Sequence, residues 1–185
     1  MPKILVFSGS TRPASYNRRL AAIAARDLAV LGAEVTEISL DDYPLPFVDE
    51  DGRKNVPDAA KALRAEIDAH RGFFIACPEY NAGYTPLLKN AIDWASVAAA
   101  GPLFAGKVVA LGGASTGMRG AYRALTQFRS ALELGYGALV IPEMASVPFA
   151  EKNLPDTSAI QDPATANFLA ITLKRLVAEA GLVRG

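Results

Sequence analysis

Cysteine is nearly absent from this chain. Cys77 stands alone, so no internal disulfide can close and no thiolate cluster can hold a metal. Histidine is equally scarce, and with only His70 the nitrogen and sulfur ligands of a transition-metal site cannot be assembled within the chain. No sign of charge dominates: 19 basic residues meet 19 acidic ones, which leaves no overall field to draw nucleic acid or an anionic membrane. No apolar run approaches the ~20 residues of a membrane span, and the Ala-rich stretch at 95–100 is too short. Met1-Pro2-Lys3 leads directly into an apolar strand, without the anatomy of a signal peptide. The glycine spacings of a Rossmann pyrophosphate loop and of a Walker-type phosphate loop are both missing. There is no internal repeat, low-complexity tract or linker, so a single domain over residues 1–185 is expected, as a soluble cytoplasmic enzyme or carrier.

What is present is a regular alternation of strand and helix. The pattern predicts strands at 3–7, 34–40, 72–77, 107–111 and 138–141. Helices are predicted at 16–31, where Gly32 ends the first, and at 58–70, 85–98, 119–134 and 163–180. Prolines and the acid run Asp49-Glu50-Asp51 mark 41–57 as a loop with a solvated tip, and Pro142, Pro148 and Pro155 mark another before the last helix. Strands that read as apolar on both faces argue for an α/β parallel sheet covered by helices on both sides. The pattern leaves several five-stranded orders open.

Two loops at strand ends carry the chemistry. The first runs Ser8-Gly9-Ser10-Thr11-Arg12-Pro13-Ala14-Ser15-Tyr16-Asn17 into a helix. Unpaired amides at a helix start welcome an anion, Ser10, Thr11, Ser15 and Asn17 add donors, and Arg12 adds a planar cation suited to phosphate. The plainer reading makes Ser15 a helix cap and Arg18, Arg19 and Arg26 solvated surface. The second loop, Pro78-Glu79-Tyr80-Asn81, follows the third strand, and Ser115-Thr116-Gly117 answers it after the fourth. Tyr80 offers a flat face, with Tyr84 beside it and Phe47 or Phe149 as further walls, while amides around 81–83 and 115–117 offer donors to a polar ring edge.

Other residues are assigned plainer roles. His70 reads as a solvated or capping residue at a helix end, and Cys77 as a small buried hydrophobe. Trp94 joins an apolar helical stripe that faces the core or a subunit interface, Lys89 and Asp93 form a surface pair, and Arg123 and Glu143 are candidates to join subunits.

The segment Pro-Glu-Tyr-Asn followed by Leu88-Lys89-Asn90-Ala91-Ile92-Asp93-Trp94 resembles the signature of the NAD(P)H-dependent FMN reductase family. Gly9, Ser10, Arg12, Ser15 and Asn17 are similar to that family's phosphate loop, with an aromatic at Tyr16. The resemblance implies a flavodoxin-like three-layer sandwich of strand order 2-1-3-4-5. It also implies FMN held by Ser10, Arg12, Ser15, Tyr16, Asn17, Pro78, Glu79, Tyr80, Asn81, Ser115, Thr116 and Gly117. It further implies a hydride taken from NADPH or NADH, ping-pong transfer of two electrons to a flavin, quinone or similar small acceptor, and a homodimer or homotetramer. The chain differs from the commoner wording at Ala82-Gly83-Tyr84-Thr85-Pro86, over the ring. The rival reading is a flavodoxin-type electron carrier, which the neutral charge and Arg12 oppose.

Overall fold

The central strands carry apolar side chains on both faces, and the two faces feed two cores. The computed structural model describes residues 1–183. Strands β1 (Lys3–Ser8), β2 (Glu34–Glu37) and β3 (Gly72–Ala76) belong to a parallel sheet. A short antiparallel hairpin of β4 (Glu79–Tyr80) and β5 (Gly83–Tyr84) stands apart from it. With β6 (Val108–Ala114) and β7 (Leu139–Val147), the main sheet has five parallel strands in the order β2-β1-β3-β6-β7. Counted within that sheet, the order is 2-1-3-4-5, the flavodoxin-like arrangement that the resemblance implied.

Ile4, Val6, Phe74, Ala76, Val108 and Ala110 point to one face and bury against α1 (Tyr16–Val30) and α6 (Pro163–Leu182). Their neighbours Leu5, Phe7, Phe73, Ile75, Val109 and Leu111 point the other way. That face is covered by α2 (Asp58–Ala69), α3 (Pro86–Val97) and α4 (Tyr122–Tyr136). A single turn, α5 (Ala150–Asn153), completes the helices. Each fully buried Leu, Ile or Phe is worth about 1.5–3 kcal/mol. The doubly covered sheet is therefore the rigid frame on which the loops at its strand ends are hung.

Where the sequence reading and the structure differ, the cause is tertiary. The strand predicted at 107–111 runs on to Ala114, so Gly112 and Gly113 lie within β6, where a Cβ at Gly113 would meet Cys77 O at 2.8 Å and Ala121 Cβ at 2.9 Å. Pro142 read as loop, yet β7 runs through it: the register slips between Val109 and Leu111, and the proline sits at that irregularity on an edge strand. The hairpin was not anticipated. Its two-residue turn holds Asn81 and Ala82 at φ of 49° and 72°, the left-handed geometry that matches strand twist.

Trp94 is core, 1% exposed, with its indole N–H donating to Pro46 O at 2.6 Å. His70 is not solvated: it is buried at the C-terminal cap of α2, with Nδ1 2.6 Å from Glu66 O and Nε2 2.9 Å from Thr36 Oγ1. Lys89 and Asp93 are more than a surface pair, since the half-buried Asp93 carboxylate also accepts the Tyr136 hydroxyl at 2.5 Å. Burial, and then the bond to Asp93, pushes the Tyr136 phenol up.

Candidate functional site

The C-terminal ends of β1, β3 and β6 carry three loops that meet in one open cleft of about 200 Å³. The first loop leaves β1 at Gly9, whose N–H donates to Ala76 O. A Cβ at Gly9 would lie 2.9 Å from Pro78 Cδ, so glycine lets the first loop press against the second. Thr85 caps α3 through Leu88 N and donates its hydroxyl to Gly9 O at 2.8 Å, a buried bond that ties the same two loops again. Thr85 was not singled out by sequence reasoning, although a threonine before Pro86 carried the signal of a helix cap.

Ser15 is the N-cap of α1, its Oγ accepting from Asn17 N at 3.2 Å, as the plainer reading had it. Asn17 is buried, and both ends of its amide are engaged: Nδ2 donates to Ala114 O and Oδ1 accepts from Ala114 N, each at 2.9 Å. It clasps the end of β6 as a paired strand would, which fixes the loop after β1 relative to the loop after β6. Arg12 stands at the cleft, exposed, and its guanidinium has no hydrogen bond or ion pair among the described residues. The amides of Thr11, Arg12, Ala14 and Tyr16 likewise find no acceptor among them. A free guanidinium beside a row of unpaired amides at a helix start has the donors and charge that an anion requires.

Arg18, Arg19 and Arg26 do not simply float in solvent. Arg19 donates to Leu154 O and Pro155 O and sits 5.2 Å over the Tyr16 ring, and Arg26 donates to Thr157 O and Ser158 O. Together they bind the chain before α6 to α1.

On the second loop, Pro78 and Glu79 line the cleft and Tyr80 is 63% exposed at its wall. The Glu79 carboxylate faces α4 instead of open solvent. It accepts from Arg123 N at 3.2 Å and Ala124 N at 3.3 Å, and pairs with the Arg123 guanidinium, whose Nε is 2.9 Å away. The residue at the N-cap position of α4, Ala121, has no side-chain acceptor, so Glu79 supplies the cap from another element. Burial pushes this carboxyl up, but the bonds from Arg123 and Ala124 hold it net below the usual range. Arg123 is thereby committed within its own chain. Gln127 donates to Ala82 O at 2.9 Å and anchors the tip of the hairpin on α4. Tyr84 is no open ledge: its half-buried ring packs 5.2 Å from Phe128.

The third loop brings Ser115 and Thr116 to the cleft; Gly117 and Asn81 lie just beyond its lining. The Ser115 N–H is taken by Val147 O, which leaves the amides of Thr116 and Gly117 free for a ligand. Residues 113–117 also spell G-x-S-x-G, the wording of a nucleophile elbow. The chain's one histidine lies at the opposite end of the sheet, so Ser115 has no base and no triad forms. Cys77, buried beneath, has its thiol pushed up by burial and then by Glu79, and serves as packing. Phe47 and Phe149 do not line this cleft, although Phe149, at φ 47°, donates its N–H to Gly117 O and braces the third loop. Among the described residues no cluster of His, Cys, Asp and Glu could hold a metal ion, and no helix is long and apolar enough to cross a membrane.

Residues 2–152 match the family model described as NADPH-dependent FMN reductase. The chain is 38% identical over 137 residues to an NAD(P)H-dependent FMN reductase of Pseudomonas aeruginosa, covering 70% of this chain and 69% of that one. It is 32% identical over 170 residues to a quinone reductase of Escherichia coli, covering 90% and 89%. Its structure is similar to FerB, a flavoenzyme NAD(P)H:(acceptor) oxidoreductase of Paracoccus denitrificans, with a TM-score of 0.81, 26% identity and 99% of both chains covered.

Proposed function

The chain belongs to the NADPH-dependent FMN reductase family, and from that premise we propose that it is an FMN-dependent oxidoreductase using NADPH or NADH to reduce a small acceptor such as a quinone or a flavin. One observation carries the reading. The only cleft that gathers the three strand-end loops among the described residues places an unpartnered Arg12 and unpaired amides at one end and an exposed tyrosine with free amides at the other. That donor set fits FMN: a phosphate at Arg12 and the amides of Thr11 to Tyr16, with the hydroxyl of Ser10 beside it, and a flat ring against Tyr80.

Bound there, FMN supplies the two-electron chemistry, accepting a hydride from the nicotinamide and passing the electron pair to the acceptor. The chain's own part is positioning. Arg12 neutralises and orients the phosphate. Tyr80 covers ring surface, and the Thr116 and Gly117 amides donate to the polar edge of the ring. Asn17, Thr85 and Glu79 keep the three loops in register, and Pro78 sets the wall against which Gly9 lies. An open cleft with one exposed ring face suits donor and acceptor taking turns, a ping-pong order.

A homodimer or homotetramer is part of the reading. Tyr80, Met118, Tyr122 and Phe149 leave a half or more of their surfaces exposed around the loops, and one Glu143 carboxylate oxygen is buried without a partner among the described residues. A cytoplasmic location, where reduced nicotinamides are made, completes it.

The test is to load the protein with FMN, exclude oxygen, add NADPH and then NADH, and follow the flavin absorbance. Bleaching is expected. Bound but unbleached flavin would turn the reading to an electron carrier, and failure to bind flavin would overturn it. Arg12→Ala should weaken FMN binding about tenfold or more, the scale of a lost charge-assisted bond. Unchanged affinity would remove Arg12 from the phosphate site.

A further inference from the structure

A second cavity is larger than the cleft just described. It holds about 460 Å³ and lies on the other side of the loop that follows β1, where β1 and β2 end and α1 begins. Ser10 lines both spaces, so they are neighbours across that loop.

Its lining is polar, with hydroxyls from Ser10, Ser39 and Thr157 and carboxylates from Glu37 and Asp42. The two cations on its wall are already engaged. Arg18 donates to Thr11 O at 3.0 Å and reaches Asp41 at 3.4 Å, while Arg19 holds Leu154 O and Pro155 O at 2.7 and 2.8 Å. Glu37 and Asp42, by contrast, accept no hydrogen bond among the described residues. The acceptors left for a ligand's hydroxyls are therefore the two carboxylates. Desolvation raises the Glu37 carboxyl, with Arg18 drawing it back.

In nucleotide-binding β-α-β units, an acid at the end of the second strand takes the hydroxyls of a ribose. A carboxylate accepts from both hydroxyls and repels a phosphate in their place. Glu37 ends β2, which pairs with β1 in parallel, so it occupies that position. The sheet order also sets the distance. Neighbouring strands lie ~4.8 Å apart, so this cavity and a ring held between the ends of β3 and β6 are offset by roughly 10 Å, within the reach of a dinucleotide crossing above the loop that carries Arg12. We propose that this cavity receives the adenosine half of the nicotinamide donor, with Glu37 binding its ribose hydroxyls and favouring the donor that lacks a 2′-phosphate.

The proposal rests on the nicotinamide-dependent reading above and is tested with ADP-ribose, which carries the adenosine half without the redox group. Calorimetry on the FMN-loaded protein should show saturable ADP-ribose binding, and steady-state rates should show competition with NADH. Glu37→Gln should weaken ADP-ribose about tenfold, raise KM for NADH to a similar extent without lowering kcat, and reduce the preference for NADH over NADPH, with FMN affinity unaltered. Glu37 is exposed and makes no bond that the fold requires, so the variant should fold. Failure of ADP-ribose to bind, or a variant with wild-type ADP-ribose affinity and donor preference, would overturn the assignment. A chain that binds ADP-ribose through Glu37 yet accepts no hydride would instead overturn the enzymatic reading and leave the cavity assigned.

Discussion

Ala82 occupies a backbone position that glycine would hold at less cost. Its φ of 72° lies in the left-handed region, where a Cβ crowds the following carbonyl by about 1 kcal/mol. Ala82→Gly should therefore raise the unfolding free energy by about 1 kcal/mol in a denaturant titration, since the Gln127 bond to the residue 82 carbonyl is kept. A loss of stability would show that the rigidity of alanine in the unfolded chain outweighs the strain. Cys77 is another residue-scale case. It is fully buried and its thiol is raised, so a thiol reagent at neutral pH should label it only after unfolding. Rapid labelling of the native protein would mean that the Pro78 loop opens.

Between elements, two polar side chains act as clasps. Asn17→Ala would leave both backbone groups of Ala114 unpaired in a buried place, at a cost of about 2–3 kcal/mol. It should also weaken FMN binding, because the loops after β1 and β6 would lose their common register. Stability lost without any change in flavin affinity would reduce the clasp to a fold element. Glu79 gives a pH signature. Its folded carboxyl lies below the ordinary value, so its stabilisation is complete above the unfolded value near ~4.3 and is lost as pH falls through the folded one. Glu79→Gln should then cost about 1–2 kcal/mol at pH 7, a figure kept low because the Arg123 side chain is 48% exposed. The gap from the wild type should close below about pH 4. A gap that persists in acid would assign the loss to packing instead of charge.

For the molecule as a whole, the cofactor belongs to the stability of the fold, because the cleft exists only when three strand ends are assembled. FMN at one hundred times its Kd should stabilise the native state by about 2.7 kcal/mol, which for a domain of this size raises Tm by roughly 5–10 °C. A Tm independent of FMN would mean that no folded-state site exists.

Much of this was legible in the chain. The continuous apolar strand runs, the Gly32 stop and the Thr85-Pro86 start are local signals, and local signals survive without a partner. So are the hydroxyls, arginine and helix start after β1, which together announce an anion site wherever they occur. What the sequence alone could not settle depends on who stands opposite. Nothing in the loop wording tells that the Glu79 carboxylate caps α4, or that Ala114 takes both ends of the Asn17 amide. Gly112 and Gly113 fall outside the predicted strand until the fold sets Phe74 beside one and Cys77 and Ala121 beside the other, where only glycine fits. By itself the sequence determined the α/β alternation and the loops that carry the chemistry. Tertiary structure decided which polar groups are spent within the fold and which, like Arg12 and Glu37, are left free, because a hydrogen bond between distant residues is fixed only when the chain brings them together.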